Sequence, residues 1–181
     1  MSTKGRLLVA NPAMGDENFD RTVILVLEHS DEGALGLVLN RPSTTSVGDP
    51  LPGWEGMAAA PSVVFVGGPV SPESAICLAR VSGEDAEGWT GLVGGLGAID
   101  LTGDPDQAAA FVHALRVFAG YAGWTGGQLE AEIEAGGWFV VDADPADAMT
   151  TDPQTLWRDV LRRQRGPLRL FADYPDDVST N

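Results

Sequence analysis

Two arginines and an asparagine are spaced so that they could hold an anion. Arg21 precedes one apolar run, and Asn40 and Arg41 close the next. If these runs form a hairpin with Glu28 near Leu35, antiparallel geometry brings Val23 near Asn40 and Thr22 near Arg41. Arg21, Asn40 and Arg41 then gather at one end, with Glu28 and His29 at the other. Guanidiniums held close together need anions between them, and arginine matches carboxylate or phosphate in a bidentate fork. Those anions are either the chain's own Asp16, Glu17 and Asp20 or groups on a ligand or an acidic partner.

A second group lies in GYAGWTGGQLEAEIEAGGW, residues 120 to 138. Gly126 and Gly127 precede a short helix whose inner face carries Leu129 and Ile133. Glu130 and Glu134 share another face, and Glu132 points elsewhere. Like charges four residues apart on a helix are mildly destabilising unless a cation is near. Gln128 sits in the first turn, where backbone N–H groups can meet an anion. Gly127, Gln128 and Glu130 are therefore the candidate ligand-binding residues here, and Trp124 and Trp138 bracket the element. Acid–base catalysis would need a second group and a raised carboxylate pKa. The sequence shows neither and names no catalytic residue, so a glycine-bounded helix that closes the fold is the plainer reading.

The remaining motifs carry less. His29 and His113 have no zinc-ligand spacing, and His113 belongs on the side of a helix following Asp104. Residues 142 to 152 lack the turn glycine of a calcium loop and place Pro153 where such a loop needs glutamate. GGLGAID, residues 94 to 100, lacks the full spacing and the following helix of a dinucleotide fingerprint. No metal or cofactor is implied. Cys77 is the one cysteine; it sits in an apolar run as a small buried hydrophobe.

Charge narrows the partners. With 26 acidic against 11 basic residues, the net charge is −15, which repels phosphate backbones and anionic lipid. Nucleic acid is disfavoured, and a protein partner or small anionic ligand is preferred. Arg158, Arg162, Arg163, Arg165 and Arg169 nevertheless cluster near the C-terminus, with Arg158, Arg162 and Arg165 on the outer surface of a helix. No apolar run approaches the roughly 20 residues of a membrane span, and a cytoplasmic protein is expected.

The elements that must position these residues follow from periodicity. RLLVA, TVILVLEH, ALGLVLN, PSVVFVGGPVSP, SAICLARV, LGAIDL and WFVVDA read as strands. Residues 43–61 read as a loop with a helical turn. DPDQAAAFVHALRVFAG reads as the best helix, capped by Asp104 with Pro105 at its first position and striped by Ala108, Phe111, Val112 and Leu115. DPQTLWRDVLRRQR reads as a second helix, with Trp157, Val160 and Leu161 inward. Residues 172–181 read as a loose tail. The pattern is that of one α+β domain, residues 1–181, with a mixed sheet.

GRLLVANPAMGDENFDRTVILVLEHSDEGALGLVLNRPS at the N-terminus, GGPV at 67–70 and GYAGWTGGQLEAEI at 120–133 together resemble the YqgE/AlgH family of bacterial proteins, from about Gly5 to Gly166. The resemblance implies a mixed, strongly curved β-sheet flanked by several helices and brings no catalytic residues. Three readings stand. The first is a non-enzymatic binding or regulatory domain. The second is an enzyme with a deep pocket joining the 120–134 stretch to Arg21, Asn40 and Arg41. The third is a transcription-linked regulator, although no DNA-binding motif supports it.

Overall fold

The computed structural model describes residues 2–14, 19–82 and 88–175. Ten strands dominate it: β1 (Arg6–Ala10), β2 (Val23–Ser30), β3 (Gly33–Val38), β4 (Pro42–Ser46), β5 (Val63–Val66), β6 (Val70–Val81), β7 (Trp89–Val93), β8 (Leu96–Ile99), β9 (Val112–Thr125) and β10 (Trp138–Asp142). The helices are short: α1 (Pro105–Ala108), α2 (Gln128–Glu134), α3 (Pro145–Ala148) and α4 (Leu156–Arg162). Single 3-10 turns lie at Pro12–Met14 and Glu55–Met57, and a longer one runs over Pro167–Asp173.

The strands join in the order β10-β1-β2-β3-β9-β6-β8-β7, with β5 pairing both β9 and β4. The sheet curls into a half-barrel that is antiparallel throughout except where β5 runs parallel to β9. It is therefore mixed and curled, as expected, but far richer in strand than the sequence suggested.

The period of two explains why the apolar runs are continuous. Val23 and Leu25 of β2 face one core cluster with Leu7, Val9, Leu37 and Leu39. Ile24 and Val26 face another, with Leu8, Ala10 and Val38. Both faces of this part of the sheet are covered, so neither can be polar. Trp157, Val160 and Leu161 of α4 close the first face, as their spacing predicted. Leu129 of α2 closes the second with Trp124 and Trp138.

The largest departure is at residues 104–120. Asp104 does cap a helix, its Oδ1 accepting the Asp106 N–H at 2.9 Å. That helix ends after one turn, and residues 112–125 form the longest strand of the fold. Leu115 and Val117 point to one cluster and Phe118 to the other. β9 is held by β3, β5 and β6, and these ladders override the helical stripe. His113 is accordingly an exposed strand residue rather than one on a helix flank. A smaller correction concerns a strand within the expected loop 43–61: β4 lies on the edge, where Pro42 is tolerated. β7, in a stretch where the sequence suggested no element, pairs with β8.

Inside this strand Arg116 is buried, 1% exposed, with no carboxylate on it among the described residues. Its Nη1 donates to the carbonyls of Ala148 and Thr150 at 3.1 and 2.7 Å. Its Nη2 donates to those of Ala59 and Ala60 at 3.2 and 2.8 Å. Phe65 packs on the guanidinium at 4.2 Å. Burial lowers its pKa to about 10, so it stays charged at neutral pH.

Cys77 is buried in β6, as expected, and burial pushes its thiol up to about 12. Only thiolate is nucleophilic. Native protein at neutral pH should therefore leave a chromogenic disulfide reagent unreacted over hours, and one equivalent of thiol should appear on denaturation. Rapid titration of the native protein would show the strand to be open.

The C-terminal segment is anchored well past α4. Arg163 forks onto the buried Asp147 at 2.6 and 2.7 Å, and Arg162 reaches Asp173 at 3.5 Å. The tail read as loose from residue 172 begins with a packed stretch. Ala172 is buried, its carbonyl accepts from Arg158 Nε at 3.2 Å, and Arg21 Nη2 donates to the carbonyls of Tyr174 and Pro175. Residues 176–181 lie outside the described ones.

Candidate functional site

The hairpin forms with Glu28 opposite Leu35, the pairing that the expected geometry presupposed. A bulge between Val26 and Glu28 then shifts the register. Val23 thus pairs with Leu39, whose N–H donates to the Val23 carbonyl at 2.8 Å. Asn40 reaches the same place through its side chain. Its Oδ1 accepts the Val23 N–H at 3.1 Å and its Nδ2 donates to the Arg21 carbonyl at 2.9 Å. Both ends of the amide are used on backbone, so Asn40 holds the entrance to β2 rather than offering itself to a ligand.

That hold matters because Arg21 has a φ of 54°. Left-handed backbone costs a non-glycine residue roughly 1–2 kcal/mol, and such strain concentrates at functional positions. The conformation lays the guanidinium over the Trp157 ring at 4.7 Å. Arg21, Asn40 and Arg41 then share a cleft of about 180 Å³ with Asp20, Pro153, Gln154, Trp157 and Arg158. Three arginines converge there. Arg21 and Arg158 are engaged with the C-terminal segment, whereas Arg41 has no hydrogen-bond or ion-pair partner for its side chain among the described residues. Of the carboxylates proposed to neutralise the group, Asp20 lines the cleft, and Asp16 and Glu17 lie outside the described residues.

The structure separates the other candidates from this cleft. Gly127, Gln128 and Glu130 lie at the far end of the hairpin, and among the described residues Glu130 lines a different cleft, with His29, from the one that holds Arg21, Asn40 and Arg41. Gly127, at φ 80°, opens α2 from a left-handed conformation. Gln128 folds back: its Oε1 accepts the Thr125 N–H at 3.0 Å and the Thr125 hydroxyl at 3.3 Å. That closes a turn instead of presenting an anion site.

Glu130 bonds His29 Nε2 at 2.5 Å, and this bond holds its carboxyl below the usual range. The group beside Glu130 is thus a histidine on β2. Thr3 donates its backbone N–H to His29 Nδ1 at 2.9 Å, which leaves the ring proton on Nε2, facing Glu130. Thr3 Oγ1 also lies 2.9 Å from Nδ1, so a hydroxyl, an imidazole and a carboxylate line up. The Nδ1 lone pair is already occupied by a backbone donor, however, and Thr3 is buried. The array therefore clamps the N-terminal strand and has no free base.

Two features escaped the sequence reading. Arg116 gave no signal inside a stretch that resembled a helix. Glu132 was read only as pointing elsewhere, yet its Oε1 accepts both Trp124 Nε1–H at 3.2 Å and Trp138 Nε1–H at 3.0 Å. The signal was present in the two tryptophans that bracket it.

A curled antiparallel half-barrel with an arginine cleft at one hairpin end is the class these observations define. A family model described as AlgH-like matches residues 7–169, and the chain belongs to that family. A UPF0301 protein of Streptomyces coelicolor is 53% identical over 185 residues, covering 99% of this chain and 96% of the relative. A UPF0301 protein of Mycobacteroides abscessus is 47% identical over 98% of this chain and 87% of the relative. The crystal structure of a Corynebacterium diphtheriae protein superposes with a TM-score of 0.89 at 36% identity, covering 96% of this chain and 93% of that one. The solution structure of the AlgH protein from Pseudomonas aeruginosa gives 0.71 at 31% identity, covering 97% and 95%. No helix among the described residues is long and apolar enough to cross a membrane.

Proposed function

We propose that this protein is a non-enzymatic binding domain whose hairpin-base cleft receives an anion, either a small phosphorylated or carboxylated ligand or the carboxylate of a partner protein. The observation that carries this reading is Arg41. Its guanidinium lines a cleft with two further arginines, and none of the 26 acidic residues that lies among the described ones pairs with it. An arginine left over on so acidic a protein is a ready contact for a carboxylate or phosphate from outside. Arg21 and Arg158 supply positive potential from fixed positions, and Trp157 provides a rigid floor.

A thermal-shift series of phosphorylated and carboxylated metabolites at fixed moderate salt, on wild type and Arg41→Ala, tests it. A ligand present at about a hundred times its Kd stabilises the native state by roughly 2.7 kcal/mol, enough to raise the melting midpoint by about 5–10 °C in a chain of this size. The expected result is a hit that Arg41→Ala loses while keeping its own fold. A hit of equal size in both proteins would overturn the assignment to this cleft.

A further inference from the structure

A second cleft, of about 210 Å³, lies between the end of β1, α2 and β10 and is lined by Ala10, Asn11, Phe19, Asp20, Glu132 and Trp138, among others. Its chemistry is opposite to that of the arginine cleft. Among the described residues no lysine or arginine lines it. Aromatic surface comes from Phe19 and Trp138, whose rings meet edge to face at 5.6 Å, with Trp124 behind Trp138 at 6.2 Å.

Glu132 is held ready within it. Both indole N–H groups converge on Oε1, which fixes the carboxylate plane and leaves Oε2 with no donor among the described residues. Neither indole neutralises the carboxylate, so a half-buried negative charge faces an aromatic wall. Water solvates such a group adequately, but an organic cation satisfies both surfaces at once. Its charge meets Oε2 and the ring faces, and its carbon skeleton displaces water from apolar wall.

We propose that this cleft binds a small organic ammonium ion, with Glu132 as the charge partner, Trp138 and Phe19 as the aromatic wall, and Asp20 adding negative potential at the rim. Size agrees: an apolar cavity of about 150 Å³ holds a benzene ring, so 210 Å³ admits a ring with a short ammonium arm. The net charge of −15 draws cations towards the molecule.

The test compares 2-phenylethylammonium with the neutral, nearly isosteric 2-phenylethanol, at constant ionic strength, by indole fluorescence and by the Nε1–H resonances of the tryptophans. Wild type should bind the ammonium saturably and at least about tenfold tighter than the alcohol, as a charge-assisted contact implies. Glu132→Gln keeps an amide oxygen for the two indoles and should lose that preference, whereas Arg41→Ala should retain it. Equal affinity for the two probes, absence of saturation by ~20 mM, or an unchanged preference in Glu132→Gln would each overturn the proposal. If Glu132→Gln does not fold, the wild-type resonances decide: the ammonium must move the Trp124 and Trp138 Nε1–H signals, and unmoved signals overturn it.

Discussion

Arg116→Met should destabilise the protein by about 3–5 kcal/mol and lower its melting midpoint by about 6–20 °C. Methionine roughly fills the volume, so the loss isolates the hydrogen bonds. The carbonyls of Ala59 and Ala60 come from the approach to β5, and those of Ala148 and Thr150 from the end of α3. One planar fork ties these two loops to the middle of β9. Without it four carbonyl oxygens face a buried methyl group, and each unsatisfied buried acceptor costs roughly 1–3 kcal/mol less whatever water can restore. Lysine should recover only part of the loss, because a single ammonium cannot span both loops in one plane. Urea unfolding followed by tryptophan fluorescence gives the number. A loss below about 1 kcal/mol would mean that water replaces the guanidinium, and Arg116 would no longer be the tie between the loops.

Gly68→Ala should be nearly as damaging, and by a different route. A Cβ at Gly68 would lie 2.1 Å from the Tyr121 carbonyl carbon and 2.3 Å from the Ala122 nitrogen. These are backbone atoms of β9, so no side chain can turn aside. Gly120 opposite has a φ of 72°, and a Cβ there would meet the Gly68 carbonyl at 2.5 Å. The GGPV and GYAG motifs are thus two sides of one backbone crossing, and their glycines are there for closeness. The expected cost exceeds about 3 kcal/mol, above ordinary overpacking. It should come with faster amide exchange at Val38 and Gly67, whose N–H groups donate to Gly67 and Ala119 across the crossing. Gly127→Ala is the control: no atom lies within 4 Å of its Cβ, leaving only left-handed strain of roughly 1–2 kcal/mol. Equal losses in the two variants would refute the steric explanation.

What could be read from residues alone divides by range. The β2–β3 hairpin was legible because its pattern, turn and partner lie within one short stretch, and Arg21, Asn40 and Arg41 share one end of it although the bulge shifts the expected register by one residue. The bulge beside Leu27 was not legible, since nothing in VILVLEH marks which residue is extra. Residues 108–118 carry apolar side chains at both helical and alternating spacing, and only the ladders to β3, β5 and β6 choose between them. Arg116 was lost with that choice: on a helix it falls on the flank of the apolar stripe, on a strand it points between two loops. In the cleft, Gln154, Trp157 and Arg158 depend on how α4 lies across β1, where Trp157 Nε1 donates to the Ala10 carbonyl at 3.0 Å. No local pattern states that docking.

The position of β9 also governs how the chain can acquire its structure. Gly33 waits for Thr125 and Phe65 for Phe118, so neither half of the sheet is complete until the longest strand arrives. Pairings so distant along the chain exact their loop-closure entropy before they return any stabilisation, and proteins built on them fold on the millisecond-to-second scale. During synthesis, the inner edge of β3 stays unpaired until residues 112–125 have left the ribosome. The nascent N-terminal hairpin, apolar on both faces, is then the species most in need of shelter.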